Sequence, residues 1–210
     1  LFLDDDLMYS SAIFPNHESS LEEASRHKVD TICRLLRLAP HDRVLEIGSG
    51  WGGFAKFASE RYGCHVTGIS IADVQIGYAR EFCDGLPVEI IKSDYREHRG
   101  EYDKILCCGM IEAVGYKNYR PFMEVAHDNL KDDGLFLLHT IARHDSGLAT
   151  DPWIDKYIFR NGQLPSAMQL SEAAEDLFAL NDWHNFGAYY DSTLVAWHKN
   201  FGANWDRLKE

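Results

Sequence analysis

The chain has 210 residues and a formal net charge of −12, with 45% hydrophobic and 26% charged residues. This length suits one well-buried domain, so we predict a single domain over residues 1–210. The acidic balance argues against a nucleic-acid-binding protein and gives no general attraction to anionic membranes. No apolar stretch is long enough to span a membrane. The five cysteines show no metal-ligand spacing, which indicates a reduced cytosolic protein without a metal site.

Periodic apolar segments separated by turn residues predict the elements in chain order. After a loop-like start, the Ser20 and Glu23 spacing is typical of a capping box and predicts a helix through residue 36. Strands are predicted over residues 43–47, 65–70, 88–91, 104–108 and 135–141, and further helices over 54–62, 74–82, 119–130 and 168–180. An aromatic-rich tail follows. Strands that alternate with helices predict an α/β fold, with a mostly parallel sheet and helices on both faces.

The strongest local pattern is a glycine-rich turn between the first predicted strand and the next helix. This order lets a ligand approach the backbone at a helix N-terminus. Gly48, Gly50 and Gly53 fit the dinucleotide-binding fingerprint. With Gly52 as the third glycine the loop takes the methyltransferase form, which carries an acid just before the glycines, here Glu46.

The second predicted strand helps to separate these two interpretations. A dinucleotide site needs an acid for the ribose about 20 residues downstream of the glycines. Here that strand ends in Gly68, Ile69 and Ser70, without an acid. Glu46 suits a cationic ligand, such as the amino group of a sulfonium amino acid. The pattern therefore favours the methyltransferase loop, with a glycine turn that binds nothing as the plain alternative.

Glu112 and His139 follow or end neighbouring predicted strands, at the edge where ligands bind in such folds. Glu112 comes after apolar Met110 and Ile111, where a carboxylate needs a partner, although a solvated loop carboxylate is the alternative. His139 lies in an apolar strand, and the pattern alone favours a satisfied core histidine there.

Several further motifs, in this order, resemble the cyclopropane fatty acid synthase family, which includes the mycolic acid cyclopropane synthases. The resemblance runs nearly from end to end and implies a Rossmann-like class I methyltransferase fold. The glycine loop alone is shared by many methyltransferases, whereas the ordered set is more specific. The motifs are LMYSS (7–11), GWGG (50–53), SIADVQ (70–75), MIEAVG (110–115), LLHTI (137–141), DPWI (151–154) with YIF (157–159), and WHNFG (183–187) with Tyr190.

The resemblance implies a site for S-adenosylmethionine at the carboxyl edge of the sheet. Tyr9 and Ser10 are expected to cover the cofactor from the N-terminal side, and Asp94 and Tyr95 to border the adenine. The methionine part is expected in the glycine loop, and the ribose at the end of the second strand. The residues concerned are Glu46, Gly48, Ser49, Gly50, Trp51, Gly52 and Gly53 for the loop, and Ser70, Ile71 and Gln75 for the ribose region.

The resemblance also implies a bound bicarbonate that acts as the base. Its expected ligands are the side chains of Glu112, His139 and Tyr190, with backbone contacts from Ser11 and Ile141. The family often has Phe-Glu-His around the carboxylate, whereas this chain has Ala113 in the place of that histidine. Fuller family members carry further segments on both sides, so we expect this chain to be the catalytic domain of a longer protein.

The function implied is transfer of a methylene unit to the double bond of an unsaturated acyl-phospholipid, which forms a cyclopropane ring. A cytoplasmic enzyme peripheral to the membrane is expected, and the resemblance allows a homodimer of the longer protein. One alternative is another methyltransferase, which adds a methyl branch to a lipid or acts on a small amine; an amine enzyme needs no anion-binding trio. A cofactor-binding or lipid-binding subunit without catalysis is the alternative from a different class.

Overall fold

The computed structural model describes residues 2–209 and contains one five-stranded parallel sheet in the order β3-β2-β1-β4-β5. The chain runs from β1 outward to β3, then crosses to the other side of β1 for β4 and β5. In open α/β sheets ligands bind at such a reversal of strand order. The strands are β1 (Arg43–Ile47), β2 (His65–Ser70), β3 (Val88–Lys92), β4 (Tyr102–Cys108) and β5 (Leu130–His139).

Helices connect the strands and extend the chain after the sheet. The first begins with the predicted capping box, in which Ser20 accepts from the Glu23 amide and Glu23 accepts from the Ser20 amide. The helices are α1 (Leu21–Leu35), α2 (Gly53–Tyr62), α3 (Asp73–Phe82), α4 (Tyr119–Asn129), α5 (Pro152–Tyr157), α6 (Ala167–Ala174), α7 (Ala188–Ala203) and α8 (Trp205–Leu208), with single 3₁₀ turns at Ile111–Ala113 and Tyr116–Asn118.

Both faces of the sheet are covered by apolar clusters, as the α/β prediction requires. One cluster joins β1 to α1 and α2, and includes Ile32, Val44 and Phe54. The other joins β4 to α4 and α6, and includes Ile105 and Phe122. Strands that are buried on both faces explain the nearly continuous apolar runs of the sequence.

Strand register brings the carboxyl ends of the strands to one edge. Ile47 pairs with Ile69 on one side and with Cys107 on the other, and Cys108 pairs with His139. The glycine loop, Ser70 and His139 therefore leave the sheet along the same edge. Sequence periodicity predicted this arrangement because parallel strands with equal spacing end together.

Several elements after β4 differ from the sequence prediction. The fifth strand begins at Leu130 and ends at His139 rather than covering 135–141, because residues 131–134 form an irregular insertion in its pairing with β4. The tail, predicted without an element, contains α7. Only Thr193 and Trp197 are buried on α7, a stripe too narrow to stand out in the sequence. The helix predicted over 168–180 ends at Ala174.

The segment before α1 crosses the carboxyl edge and is joined to the far end of the chain. Asp4 is buried and accepts from the amides of Asp6 and Met8. The buried Ala12 amide donates to Thr193 Oγ1 on α7, at 3.0 Å. The N-terminal segment and α7 therefore close over the same edge of the sheet. Among residues 2–209, no helix has the length and apolar character that a membrane span needs.

Candidate active site

The glycine loop turns sharply between β1 and α2. Gly48, Gly50 and Gly52 all have positive φ, at 86°, 52° and 88°, a region that glycine enters without the steric cost other residues meet. The amides of Gly48 and Ser49 both donate to the Ile69 carbonyl, which binds the loop to β2. These two hydrogen bonds fix the loop at the edge of the sheet.

Close packing and open space alternate along this loop. A Cβ on Gly48 would lie 2.9 Å from the Met110 side chain, and one on Gly53 would lie 2.5 Å from the Asp6 carbonyl. A Cβ on Gly50 would meet no atom within 4 Å. Gly50 therefore faces the space in which a ligand can approach the backbone.

Glu46 ends in a buried carboxylate near the end of β1. Its side chain is 4% exposed, and its Oε2 atom has no partner among the described residues. Burial raises the pKa of Glu46 well above its usual range. A buried carboxylate oxygen left unsatisfied fits a cationic ligand group such as an ammonium.

Two other loop residues predicted at the cofactor point elsewhere. Ser49 is buried against β2, where a Cβ on Gly68 would lie 2.7 Å from its side chain. Trp51 packs edge-on against Tyr78 of α3, with ring centroids 5.5 Å apart. Their side chains therefore pack against β2 and α3.

The aromatic ring of Tyr9 covers the edge from the N-terminal side. It stacks on Trp197 of α7 at 5.3 Å between ring centroids, and lies 6.0 Å from Phe159. The next residue, Ser10, sits over the loop after β4, with its Cβ 4.0 Å from the position of a Cβ on Gly109. Residues from both ends of the chain thus form the cover.

Below this cover lies a polar cluster that the sequence analysis missed. Lys28 of α1 is fully buried and donates from Nζ to Ser10 Oγ, at 2.5 Å. Cys108 Sγ lies 3.8 Å from the same Oγ and 3.5 Å from His139 Nδ1. Lys28 stands on the apolar face of an amphipathic helix, which was the available signal. Cys108, the last residue of β4, is partly exposed.

Charge interactions within the cluster shift the pKa values of Cys108 and His139 in opposite directions. Burial raises the pKa of the Cys108 thiol, but Lys28 and His139 outweigh it and lower that pKa to about 6. The ionised Cys108 in turn raises the pKa of His139. His139 is therefore joined to a charged cluster and is not the satisfied core histidine that the pattern alone favoured.

Glu112 lies in the 3₁₀ turn after β4 and is oriented by one hydrogen bond. Its Oε1 accepts from the Ile141 amide at 2.9 Å, whereas its Oε2 is buried and has no partner among the described residues. The Ile141 amide was predicted to face a bound anion. In this structure it holds Glu112 instead, because the end of β5 passes beside the turn.

Tyr190 and His139 share the electrostatic surroundings of Glu112. Burial raises the pKa of Tyr190, and Tyr9 and Glu112 raise it further. Glu112 also makes a smaller contribution to the raised pKa of His139. Ser11, the other predicted anion contact, donates from its hydroxyl to the Ala12 carbonyl at 3.2 Å. Its side chain is thus engaged locally.

The residues predicted around the ribose follow β2 at the same edge. Ser70 accepts from the Ala72 amide at 3.2 Å, which shapes the entry to α3. Ile71 is 69% exposed, and Gln75 is partly exposed in the first turn of α3. This part of the edge is open to a ligand, and the apolar side chain of Ile71 is available to cover that ligand.

The two residues predicted at the adenine have different surroundings. Arg96 binds both oxygens of Asp94 and lowers the pKa of Asp94 to about 2. The Tyr95 ring packs edge-on against Phe122, with centroids 5.3 Å apart, and so belongs partly to the core. Asp94 therefore stays ionised over the physiological pH range.

Two further observations concern the surroundings of the edge. Across residues 2–209, no group of three or more His, Cys, Asp or Glu side chains is arranged to hold a metal ion. A surface cavity of about 600 Å³ lies behind the loop, between Asp6, Arg26 and Lys56, and of the predicted site residues only Gly53 lines it. The candidate site is therefore the edge itself.

Comparison with known proteins matches the chain to one protein family over its whole length. The family described as mycolic acid cyclopropane synthetase matches residues 1–210. The chain is 45% identical over 208 residues to the cyclopropane-fatty-acyl-phospholipid synthase of Escherichia coli (strain K12), covering 99% of this chain and 54% of that protein. It is 31% identical over 229 residues to a sphingolipid C9-methyltransferase of Komagataella phaffii (strain GS115 / ATCC 20864), covering 99% and 47%.

Among solved structures, the chain is similar to the mycolic acid cyclopropane synthase CmaA1 complexed with SAH and CTAB. The TM-score is 0.90 at 28% identity, and the match covers 98% of this chain and 79% of the other. The chain spans about half the length of the two curated relatives that it matches here.

Proposed function

Because this chain belongs to the mycolic acid cyclopropane synthetase family, we propose that it transfers a methylene unit from S-adenosylmethionine to an unsaturated acyl chain of a phospholipid. The product is a cyclopropane ring in place of the double bond. The observation that carries the proposal is the buried, unpartnered Oε2 of Glu112 beside His139 at the carboxyl edge. The printed name of the Escherichia coli relative supports the same reaction.

The residues of the edge fit S-adenosylmethionine. Gly50 leaves its side of the loop open, and the unpartnered Oε2 of Glu46 suits an α-ammonium group. Ser70, Ile71 and Gln75 would hold the ribose, with Asp94 and Tyr95 beside the adenine. Tyr9 and Ser10 would cover the methionine end. When bound, this cofactor supplies an electrophilic methyl group.

Three side chains fit a bicarbonate ion as the base of the reaction. Glu112 would accept a hydrogen bond from the bicarbonate hydroxyl through Oε2, since Oε1 is occupied by Ile141. The Tyr190 hydroxyl would donate. The raised pKa of His139 favours its doubly protonated form, which also donates. Two donors offset the repulsion between the carboxylate and the anion. Ser11 would add a backbone contact.

The protein must hold the reacting alkene close to the methyl group of the cofactor and exclude water, because an isolated double bond is a weak nucleophile. Tyr9, Phe159 and Trp197 lie in ring contact and would exclude water from this side. Their faces would also stabilise positive charge that develops on the acyl chain. The base then removes a proton from the added methyl group, and ring closure follows.

Acyl-chain access is proposed through the exposed aromatic residues of α5 and the turn after it. Trp153 and Tyr157 are 58% and 60% exposed and lie in ring contact with each other, and Phe159, which follows them in the chain, lies in ring contact with Tyr9. An exposed apolar surface of this kind is typical of a contact with lipid. We therefore propose that the protein works at the membrane surface, where its substrate lies.

A second candidate product is a methyl-branched lipid. The similarity to a sphingolipid C9-methyltransferase favours it over an amine product. Both candidates use the same cofactor site. For the ring, a proton is lost from the added methyl group; for the branched product, a proton is lost from a neighbouring carbon of the acyl chain and a double bond forms again.

One experiment tests both candidates. The protein is incubated with methyl-labelled S-adenosylmethionine and vesicles of a cis-monounsaturated phospholipid, and the lipids are analysed by mass spectrometry and proton NMR. Ring protons in a labelled product support the proposal, whereas a labelled methyl group without ring protons supports the second candidate. Cofactor binding without any label in the lipid refutes both.

A further inference from the structure

Cys108 and His139 are the last residues of β4 and β5, and they pair directly across the two strands. Cys108 Sγ lies 3.5 Å from His139 Nδ1. Cys107 belongs to the apolar cluster on the opposite face of the sheet, as the alternation of side chains along a strand requires. The last thiol of β4 is therefore placed beside His139, whereas the thiol before it lies in the core.

Two further side chains direct hydrogens and positive charge towards Cys108. Lys28 Nζ donates to Ser10 Oγ at 2.5 Å, and an ammonium group has no acceptor of its own. The hydroxyl hydrogen of Ser10 is then left for Cys108 Sγ, at 3.8 Å. Lys28 is fully buried, and within residues 2–209 it forms no ion pair with a carboxylate. A thiolate at Cys108 supplies the negative charge that a buried lysine needs.

The thiolate form of Cys108 decides which nitrogen of His139 carries a hydrogen. A thiolate has no hydrogen to give, so Nδ1 of His139 must be the donor in this contact. The bond made by one ring nitrogen fixes the orientation of the imidazole and the state of the other nitrogen. In the part of the chain that the structure describes, Nε2 of His139 bonds to no other residue. Cys108 thus holds one side of the ring and leaves the other free.

Three charged groups on different elements act on the imidazole. The ionised Cys108 on β4 raises the pKa of His139 most, burial lowers it, Lys28 on α1 lowers it, and Glu112 after β4 raises it. A buried imidazole beside a lysine would otherwise lose its charge. The negative charge of Cys108, and not merely its size, is therefore what favours a doubly protonated ring.

We propose that Cys108, in its thiolate form, is a positioning residue that accepts from His139 Nδ1 and so directs the Nε2 hydrogen to the bicarbonate base. In this arrangement Cys108 acts only through His139. The inference rests on the proposed function, because the base belongs to that proposal. It adds a residue whose charge sets the pH range in which the base is held.

The test follows His139 directly and then the reaction. Ring nitrogen NMR gives the titration of His139 in the wild type and in Cys108→Ser, and the signal is assigned by its absence from His139→Gln. A serine hydroxyl still accepts a hydrogen bond but carries no charge. We therefore expect His139 in Cys108→Ser to lose its proton at a lower pH than in the wild type.

Product formation is measured for both proteins over the same pH range. The ratio of the variant rate to the wild-type rate removes the titration of bicarbonate itself, which both proteins share. At low pH, where His139 is protonated in both, the rates should agree within about twofold. Between the two His139 pKa values the ratio should fall by about tenfold per pH unit, as the protonated fraction does.

Cys64→Ser is the matched control, because it also replaces a buried thiol by a hydroxyl. Cys64 donates to the Ala39 carbonyl at 3.5 Å and lies before β2, at the opposite end of the sheet. It should change neither the His139 titration nor the pH dependence of the rate. If Cys108→Ser is not folded, His139→Gln tests the same pair from the other side. Loss of the imidazolium should then move the labelling of Cys108 by iodoacetamide to a higher pH.

Three results overturn the inference. They are an identical His139 titration in the wild type and Cys108→Ser, a rate ratio that stays constant with pH, and unchanged labelling of Cys108 in His139→Gln. A wild type that forms no product at any pH refutes the proposed function instead. The NMR titration of the protein alone still decides in that case whether Cys108 holds the imidazole of His139.

Discussion

The carboxylate of Glu112 is held by the backbone amide of Ile141, at 2.9 Å from Oε1. The bond joins the turn after β4 to the chain leaving β5, and it leaves Oε2 as the free acceptor. One oxygen is thus used for orientation and the other is available for chemistry. Such a division keeps a catalytic group in one geometry before the substrate arrives.

Glu112→Gln should slow product formation more than it weakens cofactor binding. A glutamine has one acceptor oxygen, whereas Glu112 uses Oε1 to accept from Ile141 and offers Oε2 to the base. The substitution therefore removes one of these two hydrogen bonds, and the base is bound less firmly. We expect a rate about 10- to 100-fold lower, or about 1–3 kcal/mol of transition-state stabilisation. Added bicarbonate should restore part of the rate. Glu124→Gln, at an exposed carboxylate on α4, is the control. An unchanged rate in Glu112→Gln contradicts the assignment.

Gly50→Val should abolish cofactor binding without unfolding the protein. A branched side chain at φ 52° is strained by about 1–3 kcal/mol, and it projects into the open space beside the loop. Gly77→Val is matched, since a Cβ there also meets no atom within 4 Å but the backbone is helical. Calorimetry with S-adenosylhomocysteine should show binding only in the Gly77 variant. Equal affinity in both would place the cofactor elsewhere.

Thr193→Val should destabilise the cover of the site. The change leaves the buried Ala12 amide without its acceptor, at a cost of about 1–3 kcal/mol in the free energy of unfolding. Thr31→Val is the control, because Thr31 also donates to the carbonyl four residues before it but accepts from no distant amide. Urea unfolding measures both variants. A similar loss of unfolding free energy in both variants would assign the effect to the hydrogen bond from each hydroxyl to the carbonyl four residues before it.

Cys108 should react with iodoacetamide at a lower pH than an ordinary thiol. Burial raises its pKa, Lys28 and His139 lower it by more, and the result is about 6. The thiolate, which is the reactive form, therefore dominates above pH 6. The rate should rise between about pH 5 and 7 and then level off, and bound cofactor should slow it.

Cys108→Val is the control for this labelling, because Cys64 and Cys83 have pKa values raised to about 11 by burial. The variant should show little reaction at neutral pH. A wild-type rate that keeps rising through about pH 9, as for an unperturbed thiol, would contradict the low pKa.

Local sequence patterns were sufficient for the central elements of the fold. β1 and β2 have the predicted bounds, because each is a short apolar run between a polar turn and a glycine or serine end. β5 was misplaced at its start, since its first pairing precedes an irregular insertion that propensity cannot reveal. α7 was missed because only Thr193 and Trp197 are buried on it, a stripe too narrow to stand out in the sequence.

The candidate site also contains features that the sequence predicts and features that it does not. The positions of the glycine loop and of Glu112 follow from strand ends, which a sequence displays. The contact between Lys28 and Ser10 depends on how α1 packs beneath the N-terminal segment, and no spacing rule links residues in different elements. The engagement of the Ile141 amide by Glu112 also required the path of the chain after β5.

The hydrogen bond between Ala12 and Thr193 has a consequence for folding during synthesis on the ribosome. The two residues are 181 positions apart, so at ordinary rates of synthesis roughly 10 to 40 s separate their appearance. During that interval the sheet and the glycine loop can form while the first segment still lacks its anchor. A nascent chain would therefore bind nucleoside-like ligands loosely, and retention of the cofactor would begin only when the last long helix has docked.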